Sequence, residues 1–208
     1  MLSSPSGGGK STIARHLLEA REDVTYSVSA TTRAKRTGEA DGTHYHFLSR
    51  PEFERRAAQD EFVEWAEYGA NLYGTLRDEV DRGLREGRHV VLDIDVAGAR
   101  QVRARYPDSV HVFVLPPSAQ VLVQRLRGRN TEDLAGVERR LGIAGEELRA
   151  AREYDYVVVN DDFVDAVAQV AAILDVEVRR VRRLSNLDEV IDNLRRDLAG
   201  LQQRLQRE

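Results

Sequence analysis

The sequence predicts an α/β fold, a mainly parallel sheet flanked by helices. Three observations carry this. Ser4-Pro5-Ser6-Gly7-Gly8-Gly9-Lys10-Ser11, followed by Thr12, is a glycine-rich turn that runs directly into the helically spaced apolar residues Ile13, Leu17 and Leu18. Short β-rich runs then alternate with helical stretches along the chain. Residues 89–95 form a largely apolar run ending in carboxylates, the pattern of a buried parallel strand whose carboxyl edge faces a ligand.

The elements follow in order. A first helix starts near Lys10, so that its positive end faces the glycine turn. A strand is expected at 25–29, a polar loop at 33–42 and a strand at 44–48. Pro51 opens a short helix to about 59. Residues 61–66 alternate as a strand, and 71–75 read as a tight segment around Gly74. A helix over 77–85 stops at Gly87. The strand at 89–95 is followed by another at 110–115, closed by Pro116-Pro117. Ser118 caps a helix to about 127. Polar residues 128–135 precede a helix to about 153, a strand at 156–159 and a helix starting at Asp162. A phosphate-binding loop ordinarily follows a buried strand, yet only three residues precede Ser4. That central strand is therefore expected to be a stub or missing.

Composition narrows the function classes. The 208 residues suit one domain, or one domain with a lid and a tail. A net charge of −4 implies no general attraction to nucleic acid or anionic membranes. The absence of cysteine excludes disulfides and thiolate metal sites. No apolar run approaches the ~18 residues of a membrane span. Met1-Leu2-Ser3 is too short for a signal peptide, so the expected location is cytoplasmic. All but Lys10 and Lys35 of the 31 basic residues are arginine. One of the two lysines thus sits where a compact ammonium on a flexible stem is needed.

Several constellations point to phosphate chemistry. In the loop, successive N–H groups turn inward on phosphate oxygens, Lys10 reaches the β- and γ-phosphates, and the Ser11 hydroxyl can ligate Mg²⁺. Asp93 and Asp95 end their strand where a carboxylate would hold Mg²⁺ or its water. Arg33 and Arg36 lie three apart beside Tyr45, a set suited to a phosphate monoester dianion, although a solvated basic turn has the same look. Arg125, Arg129 and Arg140 flank the polar segment and could close as a basic lid over a transferred phosphate. Glu64, taken alone, is a charge on a sheet face. His44 and His46 have zinc-pair spacing but no evident third ligand.

Taken together and in order, these segments resemble guanylate kinases, the nucleoside monophosphate kinases with a P-loop. The resemblance runs from residue 3 to about 180. It rests on 3–11, Ser27-Val28-Ser29-Ala30-Thr31-Thr32-Arg33, Gly38-Glu39, Glu61-Phe62-Val63-Glu64-Trp65-Ala66, Asn71-Leu72-Tyr73-Gly74-Thr75, Leu92-Asp93-Ile94-Asp95, Arg125-Leu126-Arg127-Gly128-Arg129 and Val159-Asn160-Asp161-Asp162. It implies a P-loop NTPase-type sheet with a GMP-binding insertion over about 30–80 and a mobile lid over about 125–145, all within a domain of residues 1–183. It implies transfer of the ATP γ-phosphoryl group to GMP or dGMP, with Mg²⁺. By the same resemblance, residues 4–12 and Asn160 would bind ATP, with Asn160 bordering adenine. Arg33, Arg36, Tyr45 and Tyr73 would hold the GMP phosphate. Glu64, Thr75, Ser29 and Asp95 would read guanine. Asp93 and Ser11 would serve Mg²⁺, and Lys10, Arg125, Arg129 and Arg140 would stabilise the transferring group. Three positions depart from the family pattern: Ser4 replaces the first glycine of the loop, Thr75 keeps the hydroxyl of a common serine, and Ala97 stands where glutamine is frequent. A carboxylate at Glu64 can accept from guanine N1–H and N2–H₂ together, whereas adenine presents an unprotonated N1 and leaves it unpaired. Two alternatives share the scaffold: a related phosphotransferase such as a ribose-phosphate kinase, and a protein that is binding-only or, because the strand before the loop is missing, catalytically impaired. The intact Gly9-Lys10-Ser11 argues against the binding-only form.

Beyond residue 183, Leu184, Leu187, Ile191, Leu194, Leu198, Leu201 and Leu205 recur at spacings of three and four, an a/d heptad seam. Ser185 is the expected N-cap, and 184–205 the expected surface of a homo-oligomer.

Overall fold

The computed structural model describes residues 1–127 and 134–205. Two compact units emerge, Met1–Val170 and Ala171–Glu208.

The first unit is built on a parallel sheet. β1 (Leu2–Ser3) pairs with β8 (Val112–Leu115), which pairs with β9 (Tyr156–Val159). β2 (Val24–Tyr26) pairs with β7 (His89–Val91). A bridge between Leu2 and Asp93 joins the two sets, giving the order β2-β7-β1-β8-β9. The central strand, expected as a stub or missing, is a two-residue stub. Its ladder groups are paired: Leu2 N–H donates to the Leu92 carbonyl at 2.8 Å and Val112 N–H to the Met1 carbonyl at 3.0 Å. The loop leaving β1 therefore opens at the carboxyl edge, between the strands on its two sides, where ligands of open parallel sheets bind.

Around the sheet lie α1 (Lys10–Ala20), α3 (Arg77–Arg85), α4 (Val96–Arg105), α5 (Ala119–Arg127) and α6 (Leu134–Arg149). α1 buries Ile13, Ala14 and Leu17 on one side, as its apolar spacing requires. Val63, Val80, Leu92, Ile94 and Val102 form the core beneath α3 and α4.

A second, mixed sheet has the order β4-β3-β6-β5, built from β3 (Ser29–Thr31), β4 (His46–Phe47), β5 (Phe62–Tyr68) and β6 (Asn71–Leu76). α2 (Arg50–Ala58) packs on it through a separate core of Phe53, Ala30, Phe62, Leu72 and Leu76. Phe53 and Phe62 stack at 4.3 Å between ring centroids. Ser49 caps α2 by accepting from Glu52 N–H at 3.3 Å.

Three expectations are corrected here. Residues 25–29 do not form one strand: they divide between β2 and β3, which belong to different sheets. Residues 71–75 are not a tight segment but most of β6, the hairpin partner of β5. Tyr68 pairs with Asn71 across a two-residue turn whose first residue, Gly69, has φ +64°. The strand expected over 89–95 ends at Val91, and Asp93 contributes only the single bridge to Leu2.

α7 (Phe163–Glu177) follows β9, with Asp162 Oδ1 accepting from Asp165 N–H at 2.9 Å. α8 (Leu187–Leu205) begins two residues after Ser185, so Asn186 and not Ser185 holds the cap position. Its seam residues Ile191, Leu194, Leu198, Leu201 and Leu205 are all exposed.

Candidate active site

The glycine-rich loop is wound by its own backbone. Gly8 N–H donates to the Pro5 carbonyl at 2.8 Å. Gly7 and Gly9 have φ of +89° and +100°, left-handed values that side chains strain against. A Cβ at Gly9 would also collide with the Asn160 amide, whose Nδ2 donates to the Gly8 carbonyl at 2.9 Å. α1 starts at Lys10 and directs its N-terminus at this curl. Lys10 Nζ lies 2.7 Å from Asp93 Oδ1, so the loop's ammonium meets the carboxylate that follows β7.

A cavity of about 400 Å³ opens from this loop. Ser4, Ser6, Lys10, Ser11 and Asp93 line one part, and Ser29, Tyr45, Glu64 and Tyr73 another, with Asp95, Arg140 and Glu147 also on its walls. Strand register explains the second group. Ser29 pairs with Thr75 and Thr75 with Glu64, so the three form one row across β3, β6 and β5. Tyr73 lies two residues along from Thr75, on the same face and about 7 Å away.

Glu64 owes its position to a β-bulge. The β5–β6 register shifts between Phe62 and Glu64, and Phe62, Val63 and Glu64 are all buried in succession. Strict alternation would have sent one of them outward; a bulge re-aims the chain, as bulges beside sites do. Glu64 is only 7% exposed, and Thr75 Oγ1 donates to its Oε1 at 2.6 Å. Burial pushes the Glu64 carboxyl up to about 7. The Asp95 charge adds to this, and the Thr75 hydrogen bond pulls the other way.

Other predicted residues fall into place unevenly. The Tyr45 and Tyr73 rings lie 6.1 Å apart. Arg33 sits 5.5 Å over Tyr45, but its two Nη atoms bind Glu39 at 2.7 and 3.0 Å. Arg36 is exposed, and its backbone N–H also donates to Glu39. Neither arginine lines the cavity. Asp95 does line it, while its Oδ1 caps α4 by accepting from Gly98 N–H at 2.8 Å. Arg140 Nη2 donates to Ser6 Oγ at 2.6 Å. Arg125 Nη2 donates to the Asn160 carbonyl at 3.1 Å. Arg129 lies outside the described residues, as do the other residues of 128–133 within the expected lid. A second hollow, about 410 Å³, lies beyond the loop and is lined by Gly7, Gly9, Thr12, Arg125, Asn160, Asp161 and Phe163.

Sequence reasoning missed Tyr26 and Glu147, and gave Glu39 no role although Gly38-Glu39 carried part of the resemblance. Tyr26 lines the main cavity, and burial raises its phenol. Glu39 could have been anticipated as the acid beside two loop arginines. Glu147 Oε2 accepts from Ser6 N–H at 3.2 Å, a contact across 141 residues that no local pattern announces.

The chain that builds this loop and cavity has relatives among known proteins. The family described as guanylate kinase matches residues 1–186. The chain belongs to the guanylate kinase family. It is 50% identical over 183 residues to a guanylate kinase of Symbiobacterium thermophilum, covering 88% of this chain and 87% of that one. It is 44% identical to the guanylate kinase of Carboxydothermus hydrogenoformans, covering 89% and 91%. Its fold is similar to a crystal structure of guanylate kinase from Anaplasma phagocytophilum, with a TM-score of 0.75, 34% identity and 92% of each chain covered.

Proposed function

We propose that this guanylate kinase family enzyme moves the γ-phosphoryl group of ATP to GMP or dGMP across the main cavity, with Glu64 selecting the base. The observation that carries the reading is the shared cavity of Lys10 and Glu64, one at the phosphate loop and the other buried at the head of a Ser29–Thr75–Glu64 row. Ionised Glu64 accepts from guanine N1–H and N2–H₂, Thr75 holds the carboxylate, and Ser29 completes the polar edge. Adenine offers no matching donor at N1, which leaves a buried acceptor unpaired at roughly 1–3 kcal/mol.

Tyr73 and Tyr45 hold the GMP phosphate on the same face, with Arg33 and Arg36 turning in from the neighbouring loop once phosphate competes with Glu39. The loop N–H groups and Lys10 take the ATP phosphates, and the second hollow, with Asn160 on its wall, takes adenine. Ser11 and Asp93 are hard oxygen donors fitted to Mg²⁺ or its water, and the ion, when bound, neutralises phosphate charge. The GMP phosphate oxygen is already a nucleophile, so these residues contribute positioning and charge neutralisation and no side-chain base is required. Arg125, Arg129 and Arg140 add cationic charge at the transferring group.

Steady-state phosphorylation of GMP, dGMP, AMP and ribose phosphates tests the assignment. Efficient turnover of GMP and dGMP with little of the others agrees with it, whereas preference for AMP or a ribose phosphate assigns the scaffold to another phosphotransferase. No observation favours an impaired protein. The absence of cysteine and the use of ATP fit a cytoplasmic setting, and no described helix is long and apolar enough to cross a membrane.

We propose further that α8 pairs with α8 of a second copy. Its leucine seam is continuous and exposed, and its e position carries Asp188 then Arg195, opposite charges one heptad apart that can pair in an antiparallel arrangement. Deleting 184–208 should halve the molar mass in solution; an unchanged mass rules the pairing out.

A further inference from the structure

We infer that Gly98 is a specificity-determining position, present so that the Glu64 carboxylate can occupy the first turn of α4. The inference rests on the reading of Glu64 as the guanine acceptor. Gly98 is the third residue of α4, it is buried, and its backbone is helical with no positive φ. Conformation therefore does not call for glycine here, and in a helix alanine is the better former. Space does call for it. A Cβ on Gly98 would stand 2.8 Å from Glu64 Oε2 and 3.2 Å from Glu64 Cδ.

A long side chain can ordinarily swing away from such a contact. Glu64 cannot do so without consequence. Its other oxygen receives the Thr75 hydroxyl at 2.6 Å, and the side chain is enclosed. The open direction is the cavity itself, where guanine sits in the reading above. The Asp95 cap on Gly98 N–H fixes this turn of α4 beside the carboxylate. The hydroxyl at 75 thus holds one oxygen of the acid, and the missing side chain at 98 leaves room for the other. Gly98 touches no reacting atom; it acts through Glu64.

The test is Gly98→Ala, examined with Glu64→Asp and Glu64→Gln. Gly98→Ala should raise KM for GMP at least tenfold, leave KM for ATP within twofold and change kcat less than threefold. In the Gly98→Ala background, Glu64→Asp shortens the acid away from the new methyl. The double variant should then lose less in GMP kcat/KM than the product of the two single losses. A Gly98→Ala enzyme with GMP KM within twofold of the parent overturns the inference. Should Gly98→Ala not fold, folding of the double variant supports the proposed clash, and failure of both overturns it. An unaltered GMP KM in Glu64→Gln would instead sink the guanine reading, which separates the two claims.

Discussion

At the residue scale, the account depends on two side chains in opposite electrostatic situations. Lys10 is paired with Asp93 at 2.7 Å and sits at the head of α1; in the proposed reading its charge serves the transferring phosphate. Lys10→Ala should lower kcat by at least about 100-fold, the scale of removing one preorganised charge stabiliser. GMP affinity, measured by calorimetry, should change little. Glu64 is held in a place that disfavours its charge. Its folded carboxyl lies at about 7 against an ordinary 4.5. The sign follows: the folded protein binds the extra proton between these values. The protonated acid therefore contributes stability below about 4.5, and this is lost as pH rises through 7. Glu64→Gln, neutral throughout, should be more stable than the parent at pH 8, by roughly 1–3 kcal/mol, and match it near pH 4.5. Thermal melts at the two pH values check this. In the proposed reading guanine needs the ionised acid, so GMP affinity should fall below pH 7, approaching about tenfold per unit. The Gln variant lacks this slope and separates it from titration of the GMP phosphate near pH 6.

At the element scale, what was legible in the sequence and what was not divide along locality. α1, α2, α3 and α5 announced themselves through caps, Pro51, Gly87 and apolar spacing, all read within one or two turns. β6 did not, because Asn71-Leu72-Tyr73-Gly74-Thr75 owes its strand form to pairing with β5 and β3, and pairing is tertiary. The bulge at 62–64 was equally silent. Phe62, Val63 and Glu64 look like alternation, yet all three are buried in different surroundings. The loop residues of the site were visible as a motif. Glu147 on α6 was not, since its carboxylate reaches Ser6 N–H only after the fold forms. That contact places an acid on an N–H that phosphate should use, and burial already raises the Glu147 carboxyl. Removing its charge with Glu147→Gln should tighten ATP binding several-fold in calorimetry. Weaker ATP binding would mean that Glu147 assists the nucleotide and does not compete with it.

At the scale of the whole molecule, the two sheets divide the labour. The parallel sheet presents the phosphate loop at its carboxyl edge, with β1 reduced to two residues whose backbone groups are nonetheless paired. The mixed sheet, with its own core around Phe53 and Phe62, presents the Ser29–Thr75–Glu64 row. One cavity receives from both. The family was readable from ordered motifs, while the contacts of Gly98 and Glu39 came from packing. The most direct measurement is the ratio of kcat/KM for GMP to that for AMP, with ATP as donor, in the parent and in Glu64→Gln. The ratio should be large in the parent and collapse by at least about 100-fold in the variant, through loss of GMP turnover, with KM for ATP unmoved. An undiminished ratio in the variant would contradict the claim that this buried acid selects the base.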